Sequence, residues 1–90
     1  MPKVELVYFE GCPNLPLARS AIIEAGVVGA LEVAQNRLPP GDGRLDYSSP
    51  SILVDGTLLI GVRHVNGSCT IADWSMAAQR LRARLFGVGA

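Results

Sequence analysis

The chain holds two cysteines, and the first sits in the turn-like sequence Gly11-Cys12-Pro13. An apolar, strand-like run precedes it and a helix-like run follows. A thiol in that place faces the unpaired N–H groups and the positive dipole end of the helix. Both favour thiolate over thiol, so the Cys12 pKa is expected below the ~8.5 of free cysteine. A thiolate is a nucleophile toward disulfides and a ligand for soft metals. Glu10 opposes this by placing a carboxylate two residues away. The competing expectation is a small core cysteine without chemistry. Its position between Gly11 and Pro13 argues against burial and for reactivity.

The second cysteine lies in Asn66-Gly67-Ser68-Cys69-Thr70, at the expected start of the last helix. A core cysteine stapling that helix to the sheet and a functional thiol are equally good readings there. Were Cys69 to approach Cys12, it could act as a resolving thiol. The pair could equally clamp a soft, low-coordinate cation such as Hg(II) or Cu(I). A closed zinc site wants four ligands, and His64 alone could supply a third, so no resident metal is expected. The lone His64 reads as a solvated loop residue and Trp74 as core. Arg80, Arg82 and Arg84 read as a solvated helix face. Gly41-Asp42-Gly43 is a flexible turn, because no strand-to-helix transition follows it.

The elements that must position these residues follow from period and punctuation. Residues 3–9 alternate and are rich in Val, Tyr and Phe, which predicts a first strand buried on both faces by helices. From Asn14 the period becomes helical. Leu17, Ala21 and Ala25, flanked by Ala18 and Ile22, form one face, with Asn14 as cap and Pro13 and Pro16 at the start. Gly26 and Gly29 end it. Residues 30–35 predict a short second strand, with Leu31, Val33 and Ala34 carrying its burial. Residues 38–51 hold too many prolines and glycines for a long helix and allow one turn around residues 45–48. Residues 51–54 and 57–62 flank Asp55-Gly56, the signature of a hairpin with a type I′ turn. A last helix is expected from Thr70, with Thr70 and Asp73 at capping-box spacing. Its buried stripe is Ile71, Trp74, Ala78, Leu81 and Leu85.

Ninety residues make a single domain, taken as residues 1–86 with a frayed tail at 87–90. An apolar fraction of 49% against 18% charged predicts a packed globule rather than disorder. Eight basic residues balance eight acidic ones, so the basic excess of a nucleic-acid binder is absent. No run reaches the ~18–20 apolar residues of a membrane span, and the N-terminus lacks a signal peptide's apolar region. The expected compartment is the cytoplasm, where permanent structural disulfides are rare.

Two segments carry a family resemblance. Tyr8-Phe9-Glu10-Gly11-Cys12-Pro13 resembles the active-site turn of thioredoxins and glutaredoxins. Ser49-Pro50-Ser51-Ile52-Leu53-Val54-Asp55-Gly56 looks like the segment where that superfamily places a cis-proline before its third strand. The resemblance covers most of the chain. It implies an α/β, thioredoxin-like fold of order β-α-β-β-β-α, with a four-stranded mixed sheet and a reduced or missing second helix. It further implies a cis Pro50 packed near Cys12, a Ser49 backbone facing a bound thiol, and substrate contacts from Pro13. The turn at Gly67, Ser68 and Thr70 is similar to the one on which glutaredoxins hold a glutathione carboxylate, a role suited to helix N–H groups. It lacks the acidic residues that usually follow, and no lysine lies just upstream of Cys12. Where thioredoxins have Cys-x-x-Cys, this chain reads Cys12-Pro13-Asn14-Leu15, a monothiol turn.

The expected function is a small thiol-redox protein with Cys12 as nucleophile and Cys69 or an external thiol as resolver. Its partner would be a protein or glutathione thiol or disulfide, with glutathione as co-substrate and no bound cofactor. The alternatives are a soft-metal or metalloid binding module and a catalytically silent interaction domain. Room is left for a homodimer, and neither nucleic acid nor membrane is expected as a partner.

Overall fold

The structure is a computed structural model and describes residues 3–61, 74 and 76–87. Val4–Tyr8 forms strand β1, whose first four side chains are buried on alternate faces. It is an inner strand. Leu31–Ala34 (β2) pairs with it in parallel and Ser51–Val54 (β3) antiparallel. Thr57–Ile60 (β4) pairs antiparallel with β3, which gives the sheet order β2-β1-β3-β4. Asp55 and Gly56 join β3 to β4 with φ of 52° and 81°, the pair of positive values that a type I′ turn needs. The class is therefore α/β, with two helices and a four-stranded mixed sheet.

Leu15–Glu24 forms helix α1, with Asn14 at the N-cap position and no side-chain capping bond. Pro16 costs nothing in the first turn, because N–H groups there have no partner within the helix. At the other end Gly26 adopts φ 77°. Its N–H bonds the Ile23 carbonyl at 3.0 Å and the Val27 N–H bonds that of Ile22 at 3.2 Å. Those two bonds are a Schellman stop. Ala18, Ala21, Ile22 and Ala25 are buried as expected, but Leu17 is half exposed. The buried stripe is narrow and built of small residues, so the helix sits close to its neighbours and Leu17 falls outside the contact. Leu31 is likewise half exposed, because β2 is an edge strand with only Val33 and Ala34 partly covered.

The last helix departs most from expectation. Ala77–Phe86 forms α2, and Trp74 precedes it in non-helical backbone. The expected start at Thr70 and the Thr70–Asp73 capping box lie outside the described residues. Trp74 packs on the core from outside the helix, so a helix-spaced apolar residue need not be helical. Ala77 and Leu81 are its fully buried positions. The arginines are exposed but not idle. Arg80 donates to the Leu59 carbonyl at 2.7 Å and Arg82 to that of Glu24 at 2.9 Å, tying α2 to β4 and to the end of α1.

Both helices pack on one face of the sheet, over Val4, Leu6, Ile52, Val54 and Ile60. On the other face Tyr47 covers Val7 and Leu53. Tyr47 comes from the β2–β3 connection, which contains no α-helix, only 3-10 turns at Gln35–Arg37 and Gly43–Asp46. The single turn expected at 45–48 is thus displaced toward the N-terminus. The Asp42 carboxylate accepts the Arg44 N–H at 2.9 Å and starts the turn at Gly43. Gln35 is expected in the strand but begins the first turn, buried, with its amide donating to the carbonyls of Arg44 and Tyr47. Among the described residues no helix is long and apolar enough to cross a membrane.

Candidate functional site

Register brings the site together. β1 and β2 end side by side, with Tyr8 opposite Ala34, and β3 begins with Ser51 opposite Val7. The segments after β1, after β2 and before β3 therefore meet at one end of the sheet.

After β1 the chain turns through Gly11, whose φ of 90° suits glycine. The Cys12 N–H bonds the Phe9 carbonyl at 3.1 Å, and the Leu15 N–H bonds the Cys12 carbonyl at 3.3 Å. Cys12 thus sits between strand and helix as expected, but it is buried, with 9% of its surface exposed. The expectation that a Gly-Cys-Pro turn stays open fails because the segment before β3 lies over it.

In that segment the Ser49–Pro50 peptide is cis. The Phe9 N–H donates to Ser49 Oγ at 2.6 Å, and the Ser49 carbonyl oxygen lies 3.5 Å from Cys12 Sγ. Ser48, Ser49, Pro50 and Ser51 are all fully buried. Ser51 Oγ donates to the Ser48 carbonyl at 2.6 Å, which leaves Ser48 Oγ as donor in its 3.0 Å contact with Ser51 Oγ. Gly61, just past β4, closes the cluster. At its φ of 134° a Cβ would collide with Ser51 Oγ and lie 2.8 Å from Ser51 Cβ. The cis-proline segment is held from both sides by groups too small to replace without displacement.

Cys12 is disulfide-bonded. A disulfide sulfur has no proton, so its approach to the Ser49 carbonyl is a contact in this state. On reduction the same geometry admits an S–H···O hydrogen bond. The other cysteine, Cys69, lies outside the described residues, as do His64, Gly67, Ser68 and Thr70. Pro13 is exposed beside the turn.

Glu10 is not free to act on Cys12 alone. Arg37, from the turn after β2, donates through Nε to Glu10 Oε1 at 2.6 Å. Sequence reading missed Arg37, Ser48 and Gly61. The first two carry no local signal, whereas a glycine directly after an apolar strand is a sign of close backbone approach.

A second charged group lies on the sheet face away from the helices. Arg44 donates to Glu5 at 3.1 Å and to Asp42 at 2.8 Å. The hydrogen bonds from Arg44 hold the Asp42 carboxyl down, from its ordinary 3.8 to about 2, and the Asp42 hydrogen bond in turn holds Arg44 further up. These residues bridge the connection to β1 and lie apart from the cysteine. A cavity of about 460 Å³ opens at the other end of the sheet, lined by Val4, Val27, Leu31, Leu85 and Phe86 among others. Lys3 also lines it, and Cys12 does not. Among the described residues no three of His, Cys, Asp and Glu gather as a metal-binding group. The chain matches no family model, and no curated protein and no solved structure matches it.

Proposed function

We propose that this α/β chain is a thioredoxin-like domain that exchanges thiols and disulfides at Cys12. The observation that carries the reading is the packing of Cys12 Sγ, 3.5 Å from the Ser49 carbonyl, against a cis Ser49–Pro50 peptide. The sheet order β2-β1-β3-β4 with one parallel pair supports it, as does the oxidised state of Cys12.

In the reducing direction the Cys12 thiolate attacks one sulfur of a substrate disulfide. A mixed disulfide forms, and the other substrate sulfur leaves as a thiolate. A second thiol then attacks the Cys12 sulfur and releases the rest of the substrate as a thiolate. The substrate gains two electrons and Cys12 ends in a disulfide. Leu15 removes the usual resolver. A bridge that stays within this chain must end at Cys69, its one other cysteine. Two equivalents of an external thiol such as glutathione re-reduce the pair by the same exchange and leave joined as their own disulfide.

The test is turnover of a small mixed disulfide with excess glutathione. Cys12→Ser is expected to abolish the catalysed rate, and Cys69→Ser to leave part of it, because glutathione can resolve in its place. A catalysed rate that survives Cys12→Ser contradicts the proposal. Tight one-to-one Hg(II) uptake without any turnover would replace it with a metal-binding role.

A further inference from the structure

The pair Glu10–Arg37 lies where the parallel strands β1 and β2 end together. Glu10 is two residues past Tyr8, Arg37 is three past Ala34, and Tyr8 is opposite Ala34 in the register. Their 2.6 Å contact is therefore a product of the sheet and not a chance meeting of surface side chains. Glu10 is also two residues from Cys12, with only Gly11 between. An unscreened carboxylate there disfavours the Cys12 thiolate, and a guanidinium bound to that carboxylate cancels most of the penalty.

We propose that Arg37 is a positioning residue that acts through Glu10, neutralising its carboxylate and so setting the fraction of reduced Cys12 present as thiolate. The inference builds on the redox reading by naming what regulates the same sulfur. Glu10, on the turn's own segment, and Arg37, from the β2–β3 connection, form the ion pair at this end of the sheet. Ser48, Ser49 and Ser51, packed against it, carry no charge. Because 77% of the Arg37 side chain and 40% of that of Glu10 are exposed, the effect is modest and salt-sensitive. For so exposed a charge the expected change in thiolate fraction is only about twofold.

The test is the pH dependence of iodoacetamide alkylation on the reduced full chain. It is read separately for Cys12 and Cys69 from the tryptic peptides 4–19 and 64–80. Arg37→Ala is expected to raise the Cys12 midpoint and lower its alkylation rate at pH 7 about twofold. Glu10→Gln is expected to do the opposite, and the double variant to return close to wild type. The Arg37→Ala shift should shrink in 1 M KCl, as screening of exposed charges requires. An unchanged midpoint in Arg37→Ala, or a double variant that keeps the full upward shift, overturns the proposal. If Arg37→Ala fails to fold, Glu10→Gln decides alone, and a Cys12 midpoint that does not fall overturns it. Midpoints that move as stated in a protein without turnover would sink the redox reading and leave this one standing.

Discussion

Cys12 is subject to influences of opposite sign. The start of α1 favours thiolate, Arg37 offsets the opposing Glu10 carboxylate on the proposal above, and burial and the Ser49 carbonyl favour the protonated thiol. One contact that holds the Ser49 segment against the turn is the hydrogen bond from the Phe9 N–H to Ser49 Oγ at 2.6 Å. Ser49→Ala leaves the Phe9 N–H without this acceptor, and the loss is expected to cost about 1–2 kcal/mol of stability in urea denaturation. Ser49→Thr, which keeps the hydroxyl, should recover most of it. A Ser49→Ala variant as stable as wild type would show that the hydroxyl does not hold the two segments together. The place of Cys12 between strand and helix was legible in the local Gly-Cys-Pro turn, whereas the cis Pro50 was expected only from the family resemblance. Arg37 was not legible, since it acts across the sheet end on Glu10, 27 residues away in the chain.

The β2–β3 connection shows how an irregular segment can still be determined. Its prolines at 39 and 40 forbid a long helix, and that much is written in the composition. What replaces the helix is a set of side-chain bonds. Gln35 ties the two ends of the connection together, and Arg44 joins Asp42 to Glu5 on β1. Asp42 gives this a pH signature. Its carboxyl is held at about 2, below its ordinary 3.8. A group with a depressed folded-state pKa contributes stability that is fully present above the unfolded value and lost as pH falls through the folded one. The expected acid limb therefore runs from about pH 4 down to about pH 2. Asp42→Asn should flatten that limb in an acid denaturation series at low salt, by a small amount because the paired Arg44 side chain is 34% exposed and solvent screens the pair. An unchanged limb would locate the acid sensitivity elsewhere. At this scale the Asp55-Gly56 hairpin was fully legible, since the dipeptide demands its turn. The start of α2 was not. Apolar spacing includes Trp74, but Trp74 itself is non-helical and α2 begins at Ala77, where Ala77, Ala78, Gln79 and Arg80 supply strong helix formers.

In the molecule as a whole, one end of a mixed sheet gathers the chemistry and the other carries an apolar cavity. The element order could be read from the sequence, and the antiparallel β3–β4 pairing followed from the hairpin. The burial of Glu5 could not, because its hydrogen-bonding cation is Arg44, 39 residues away in sequence, with Lys3 at a longer 4.0 Å. The convergence at the Cys12 end gives the central claim its most direct measurement: intact mass after equilibration of the reduced chain with excess oxidised glutathione. Wild type is expected to lose two hydrogens as Cys12 closes its disulfide. Cys69→Ser is expected to gain one glutathione on Cys12, and Cys12→Ser to show neither of these products at position 12. A wild-type chain that keeps its reduced mass, with no glutathione added in Cys69→Ser, would contradict thiol exchange at Cys12.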